Sequence, residues 1–291
     1  MKIKKCFDFF LYSNIFISLC AAAFTIETYL LIHAKINWIY ILFVFLSTLV
    51  LYNFPTFLED NFAPEYSERH KWVSENKKPL SVISLIALLG VIVTIFSFPF
   101  KFILLFTPIA VIAFAYFFPQ TQLRSITGLK TAIVAFVWTS VTGIFTLLLN
   151  FNFDFNNSFG NGRTEILLQN FFFIFPLCVI FNVRDIEADR NAGVKTFPVI
   201  YGVKKTILVC LISLLIFSTI VFFSNYDLKI IITLLLSCFV TAIFILLIPT
   251  EVNASPSLWE GFRMGYDYYY SFWIDGTILL QAGLMVLQNF F

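Results

Sequence analysis

The sequence has 291 residues, of which 59% are hydrophobic and only 12% are charged, and its mean hydropathy is +0.88. This composition excludes an ordinary soluble domain. The formal net charge of +2 is also too small to suggest a nucleic-acid partner. With two His and no Cys-x-x-Cys pair among five Cys, the chain is not expected to hold zinc or a disulfide framework.

Nine apolar stretches are long enough to cross a bilayer as helices, which requires about 20 residues each. In chain order they cover approximately residues 9–32, 37–58, 80–99, 101–118, 130–151, 166–183, 205–224, 229–249 and 268–291. The connections between them are too short to form a separate soluble domain. We therefore predict one all-α, polytopic membrane domain over residues 1–291, embedded in membrane lipids.

The basic residues are distributed unevenly between the two sides of this predicted bundle. If the N-terminus is inside, 15 of the 19 Lys and Arg residues fall in inner segments. Because inner loops of membrane proteins carry the excess of Lys and Arg, this distribution predicts a cytoplasmic N-terminus and an outer C-terminus. We expect a multi-pass protein of a bacterial inner membrane.

The two most charged loops suggest how the helices are grouped. They cover residues 59–79, after the second span, and residues 184–204, after the sixth. Because the loops are four spans apart, both face the same side of the membrane. This spacing predicts two four-helix halves followed by a ninth helix, with a site where the halves meet.

The loop after the sixth span carries the most informative group of residues. Asp185 and Asp189 are four residues apart and Asn182 precedes them by three, so a helix would place all three on one face. Two carboxylates so close to each other repel, and they are costly near lipid unless a cation holds them together. Mg²⁺ commonly takes one or two carboxylates together with phosphate oxygens. Gly193 predicts a helix end, which leaves Lys195 in position to meet a phosphate.

A purely structural interpretation of the same loop is also open. In that interpretation the segment is a solvated helix end, and its aspartates pair with Arg184, Arg190 and Lys195. The pattern N-x-x-D-x-x-x-D-x-x-x-G-x-K-T-x-P, from Asn182 to Pro198, is much more specific than a simple pair of acids.

This pattern resembles the second aspartate-rich motif of the UbiA superfamily of intramembrane prenyltransferases. The resemblance implies nine transmembrane helices, with aspartate-rich motifs on the cytoplasmic side after helices 2 and 6. It also implies transfer of a prenyl group from a polyprenyl diphosphate to a lipophilic acceptor, aromatic or a quinone precursor. In that case Asp185 and Asp189 are catalytic residues that bind Mg²⁺, Asn182 assists them, and Lys195 binds the diphosphate.

The loop after the second span departs from the family's first motif, which resembles N-D-x-x-D-x-x-x-D followed by a basic residue and Pro-Leu. Asn53 matches its start, and Lys78-Pro79-Leu80 matches its end. The expected acids are replaced by Phe54, Phe57 and Asn61.

Two interpretations of this loop remain open. Asn53, with Asp60 or Glu59, could form a minimal second half of the metal site, since Asp60 returns to the same helical face unless Pro55 distorts the helix. Alternatively, the acids of residues 59–75 are solvated and balanced by neighbouring basic residues.

Four residues elsewhere are further candidates. Lys130 follows Gly128-Leu129 and resembles the family's basic residue at this position, which implies phosphate binding, although it could simply anchor the inner end of its span. Arg69 is a second candidate for the diphosphate. Two acids lie within spans. For Glu27 we predict an interhelical hydrogen bond to a neighbouring Thr or Tyr, whereas for Asp275 a functional role and a structural role are equally open.

Two other functions are compatible with parts of the pattern. A relative that lost turnover with its first motif would bind a lipid or a diphosphate without catalysis. A transporter would use the loop charges to close a gate, but it would require polar residues inside several spans, and this chain has few.

Overall fold

The computed structural model describes residues 2–58, 68–115, 128–160, 162–191, 193–249 and 266–289. Within these ranges the secondary structure is entirely helical. The helices are α1 (Lys2–Tyr12), α2 (Ile15–Leu31), α3 (Trp38–Asn53), α4 (Pro55–Leu58), α5 (Glu68–Glu75), α6 (Lys77–Ile95), α7 (Phe100–Ala115), α8 (Leu129–Thr139), α9 (Phe145–Asn150), α10 (Phe155–Phe159), α11 (Arg163–Arg184), α12 (Ile186–Asn191), α13 (Phe197–Phe223), α14 (Leu228–Leu246), α15 (Tyr266–Tyr268) and α16 (Asp275–Gln288). Two π-helical turns, Ser140–Ile144 and Tyr269–Ile274, join α8 to α9 and α15 to α16.

Seven helical segments in the described ranges are long and apolar enough to cross a membrane, and α1 with α2 makes an eighth if the bent pair is one span. The predicted count of nine spans is therefore not confirmed. The fourth predicted span, residues 101–118, corresponds to α7, which has 16 residues. Residues 116–118 of this predicted span lie outside the described residues.

The first span is broken between α1 and α2, which meet at 58°. Asn14 lies at the break in the left-handed conformation, with φ 64°. Asparagine tolerates this conformation better than most residues because its short polar side chain can form local hydrogen bonds. The break turns the Asn14 side chain toward the end of α3, where the candidate site begins.

The spans pack into a closed ring. Helix α2 packs against the π turn Ser140–Ile144 that follows α8, and α8, α11, α13 and α14 pack one against the next, while α3 packs against both α2 and α6. Helix α16 packs against both α14 and α2, so the last span closes the ring between the two predicted halves.

Aromatic packing anchors the short helix α7. The Phe102 ring lies 5.5 Å from Phe43, 4.6 Å from Phe98, 5.2 Å from Phe106 and 5.4 Å from Phe145, measured between ring centroids. Phe102 is fully buried at the centre of this cluster. Aromatic pairs at these distances add to the free energy of apolar burial, so α7 is held to α3 and α9 by side-chain packing.

Helix α13 contains a local break at Gly202, which has φ 79° and ψ 165°. Only glycine adopts this backbone region readily, and a Cβ atom at this position would meet nothing within 4 Å. The effect of Gly202→Ala is therefore backbone strain alone. We expect Gly202→Ala to lower the free energy of unfolding by about 1–3 kcal/mol.

Thermal unfolding of the purified protein in detergent measures this effect. Gly283→Ala is the matched control, because Gly283 lies within α16 without positive φ and also has open space at its Cβ position. Equal unfolding temperatures for the two variants would show that the Gly202 backbone is not strained by a side chain.

Candidate functional site

One end of the bundle carries a network of buried polar side chains, which we call the polar end. It is built from the α1–α2 break, the C-terminus of α3, α5, the C-terminus of α11 and the start of the last span. Asn14 Nδ2 donates to Asn53 Oδ1 at 2.8 Å and to the Tyr52 carbonyl at 3.2 Å. Asn53 Nδ2 in turn donates to the Ser13 carbonyl at 3.1 Å. Asn53 is fully buried, and its amide is engaged in holding α3 against the break.

Arg69 connects the segment after the second span to this network. Its guanidinium donates to Asn14 Oδ1 at 2.9 Å, and its backbone N–H donates to Asp267 Oδ2 at 3.2 Å. Burial lowers the pKa of the Arg69 guanidinium, and the charge of Arg184 acts in the same direction, while Asp185 and other carboxylates oppose both. An anion bound here would relieve the mutual repulsion of the two guanidiniums.

Arg184 and Asp185 form a bidentate pair at the end of α11. The Nε–Oδ1 distance is 2.8 Å and the second N–O distance is 3.0 Å. The Arg184 side chain is 15% exposed and lies 4.9 Å from the centroid of the Phe181 ring, whereas the Asp185 side chain is 37% exposed. Two parallel hydrogen bonds of this kind orient the carboxylate as well as neutralise it.

Asp185 lies between two helices and Asp189 lies on the second of them, so the two acids are not on one continuous helix. Helix α11 ends at Arg184, Asp185 leaves the helical region with ψ 11°, and α12 begins at Ile186. The Asp189 N–H still donates to the Asp185 carbonyl at 2.8 Å, so the two residues remain one turn apart. Asp189 is 8% exposed. The predicted proximity is therefore kept, although the predicted continuous helix is not.

These two acids fit only a metal ion that receives its other ligands from elsewhere. Within the described ranges, no group of three or more His, Cys, Asp and Glu side chains is arranged to hold a metal. Mg²⁺ usually takes one or two protein carboxylates and completes its coordination with water and substrate phosphates. Asp185 and Asp189 meet that requirement at the polar end.

The other predicted site residues lie in different places in the structure. Asn182 is buried, and its Nδ2 donates to Thr131 Oγ1 at 3.0 Å, so its amide ties α11 to α8. Lys195 is exposed in the turn between α12 and α13, after Gly193 with φ 69°. Lys130 lies in the first turn of α8, but its side chain lies outside the described residues, and so does the whole of Asp60.

Positions 54 and 57, where the family's first motif has acids, lie against an apolar groove. Phe54 packs edge-on against Phe114 with centroids 5.1 Å apart, and Phe57 is exposed. The groove has a volume of about 340 Å³ and runs between α3–α4 and α6. It is lined by Val50, Phe54, Phe57, Ser81, Ser84, Leu85 and Leu88. The residues that line this groove are apolar or serine and supply no carboxylate to a metal ion.

Two residues of the polar end were not predicted from the sequence. Asn14 falls inside the first apolar stretch, where a lone amide was the only available signal. Asp267 lies in a run of four tyrosines that is typical of an interfacial aromatic belt. Both are buried in the structure, and both bind Arg69.

The intramembrane acid Glu27 has a structural partner. Its Oε1 accepts from Gln281 Nε2 at 2.8 Å, and Gln281 Oε1 accepts from Ser237 Oγ at 2.8 Å. The predicted interhelical hydrogen bond is present, but the partner is a glutamine rather than Thr or Tyr. This chain of hydrogen bonds links α2, α16 and α14.

Two comparisons with known proteins found a match. A model of the UbiA prenyltransferase family matches residues 67–260, about two thirds of the chain. The fold is similar to the apo structure of a UbiA homologue from Aeropyrum pernix K1, with a TM-score of 0.63 and 11% identity over 94% of this chain and 98% of that one. No curated protein matches the sequence significantly. The family match includes Arg69, Asp185 and Asp189 and ends before the last span.

Proposed function

The chain belongs to the UbiA prenyltransferase family, and on this premise we propose that it transfers a prenyl group from a polyprenyl diphosphate to a lipophilic acceptor inside the membrane. The observation that carries the proposal is the meeting of two distant loops at the polar end. Arg69 of the loop after the second span interacts electrostatically with Arg184 and Asp185 of the loop after the sixth. Two guanidiniums beside a carboxylate pair are suited to a metal-bound diphosphate.

The polar end supports the first step, which is loss of the diphosphate. The bond between C1 of the prenyl group and the diphosphate oxygen breaks, and its electron pair leaves with the diphosphate. Arg69 and Arg184 stabilise the charge that develops on that oxygen, and exposed Lys195 lies in the adjoining turn. A bound Mg²⁺, held by Asp185 and Asp189, would supply further neutralisation of the diphosphate oxygens.

Aromatic side chains below the arginines suit the second step. The Phe181 and Tyr270 rings lie 5.8 Å apart, and Tyr270 is fully buried. An allylic cation is attracted to aromatic faces and is protected there from water. Attack by the acceptor then forms the new carbon–carbon bond, and the acceptor releases one proton.

The proposal also includes the chemical class of the acceptor and the orientation of the protein in the membrane. We assign an aromatic compound or quinone precursor as the acceptor by analogy with the family. The distribution of Lys and Arg supports a cytoplasmic polar end and N-terminus and an outer C-terminus. A bacterial inner membrane as the location is part of the proposal.

A prenyl-transfer assay tests the proposal. Purified full-length protein is incubated with Mg²⁺, labelled prenyl diphosphates of several lengths and a panel of aromatic and quinone-precursor acceptors, and the products are identified by mass. We expect a prenylated acceptor with at least one donor, and chelation of Mg²⁺ is expected to stop its formation. Absence of product with every pair would contradict an enzyme.

A second function is favoured by Phe54 and Phe57, which replace two acids of the first motif. A relative without turnover would still bind a lipid diphosphate at the polar end. In the same experiment, saturable binding of a prenyl diphosphate without any product would identify such a protein.

A further inference from the structure

The last span brings two acidic residues to the polar end. Asp267 lies in α15 and Asp275 begins α16, and the π-helical turn Tyr269–Ile274 separates them. In a continuous α-helix, residues eight apart would differ by about 80° in direction. A π turn takes up one extra residue, which reduces this difference to about 20° and places both acids on one face. Turns of this kind occur frequently at functional sites.

Helix packing directs that face into the bundle. Cys20 Sγ of α2 donates to the Asp275 carbonyl at 3.4 Å, which holds the start of α16 against α2. Asp267 binds the backbone N–H of Arg69. Both Asp267 and Asp275 interact electrostatically with Arg69 and with Arg184. The last span therefore faces the same two guanidiniums that the proposed function assigns to the diphosphate.

The Asp275 carboxylate lacks a direct partner. Asp275 is 8% exposed, yet within the described part of the chain its carboxylate makes no hydrogen bond and no ion pair. Arg69 and Arg184 act on it electrostatically, without a hydrogen bond or an ion pair to its carboxylate. A buried carboxylate is strongly destabilised unless a cation or a hydrogen-bond donor compensates it. A carboxylate and two guanidiniums that act on one another without direct bonds thus suit a ligand with both signs of charge.

Resting on the proposed function, we propose that Asp275 is a carboxylate ligand of the Mg²⁺–diphosphate complex, in place of acids that the first motif lacks. In this arrangement Arg69 and Arg184 would bind phosphate oxygens, and Asp275 would supply one carboxylate to the bound metal ion. One carboxylate with phosphate and water is an ordinary ligand set for Mg²⁺. Asn53 is less suited to this role, because its amide already bonds Asn14 and Ser13.

Binding of inorganic pyrophosphate to the purified full-length protein tests this proposal without any turnover. Calorimetry measures the affinity in EDTA and again in saturating Mg²⁺. Asp275→Asn is expected to weaken binding in Mg²⁺ on the order of 10- to 100-fold, and to leave binding in EDTA unchanged or stronger because a negative charge is removed. Glu27→Gln, which neutralises a buried acid of α2 bonded to Gln281, is expected to match the wild type in both conditions.

The outcomes separate the alternatives. The proposal would be overturned if the Asp275→Asn variant bound pyrophosphate in Mg²⁺ as tightly as the wild type does. An equal loss in EDTA and in Mg²⁺ would also overturn it, since it would show that Asp275 only positions the arginines. If the protein binds pyrophosphate in the expected pattern but forms no prenylated product, Asp275 remains a ligand. Only the proposed enzymatic activity is then contradicted.

A second variant keeps the test decisive if Asp275→Asn fails to fold. Asp275→Glu retains the carboxylate and moves it by one methylene. With Mn²⁺ and pyrophosphate bound, its electron paramagnetic resonance spectrum is expected to differ from that of the wild type, because the ligand geometry at the metal changes. Identical spectra would exclude Asp275 from the metal's ligands.

Discussion

Asp189→Asn is expected to reduce prenyl transfer by a factor on the order of 10² to 10³, with little change in overall fold. The substitution keeps the size of the side chain and removes one negative charge. Asp189 is almost fully buried and lies one turn from Asp185, so water cannot easily replace the lost carboxylate. Loss of one preorganised electrostatic group at a reacting centre commonly has an effect of this magnitude.

The measurement is kcat/KM for the best prenyl donor at saturating Mg²⁺, together with the unfolding temperature of each variant. Asp185→Asn is expected to have a comparable effect, because it also disrupts the bidentate pair with Arg184. Glu187→Gln is the matched control, since Glu187 is an exposed acid on the same short helix. Unchanged rates in both aspartate variants would exclude this motif from the reaction.

Arg69→Gln is expected to raise KM for the prenyl diphosphate by about 10- to 100-fold. The guanidinium of Arg69 is directed into the polar end by its hydrogen bond to Asn14 and by the contact of its backbone with Asp267. A charged hydrogen bond contributes about 1.5–3 kcal/mol, which corresponds to that change in affinity. Glutamine is neutral and cannot supply the same charge to a diphosphate.

This variant is also expected to be less stable, because the buried Asn14 Oδ1 loses a donor, which costs about 1–3 kcal/mol. The two effects are separated by measuring KM and thermal unfolding on the same preparation. Lys71→Gln removes a positive charge from an exposed position on the same helix and is expected to change neither quantity. A lower unfolding temperature with unchanged KM would assign Arg69 a structural role only.

Hydropathy predicted the positions of most spans correctly, because insertion into a bilayer depends on the sum of apolar character along a local stretch. The count was the weaker part of the prediction. Within the described part of the chain seven segments, or eight with the bent first pair, are long and apolar enough to cross a membrane, and residues 116–118 of the fourth predicted span lie outside that part. Hydropathy measures apolar character along the chain and does not show that α1 and α2 meet at 58°.

The aspartate motif could be predicted because its chemistry is local. Asp185, Asp189 and Gly193 lie within nine consecutive residues, so spacing alone places the acids one turn apart and ends the segment at a glycine with positive φ. The family match over residues 67–260 supports the identification made from this motif. The roles of Asn182 and Asn53 were harder to predict, since their hydrogen bonds join separate helices.

By itself, the sequence determined that this is a helical membrane protein of a prenyltransferase family, because hydropathy and a short motif are properties of neighbouring residues. Only the tertiary structure decided which side chains complete the polar end. Asn14 meets Asn53 across 39 residues, and Arg69 meets Asp267 across 198. Asp275 reaches the same place through a π turn that no hydropathy pattern indicates. Contacts between residues so distant in sequence depend on how the helices close into a ring, and therefore on the packing energy of the whole bundle.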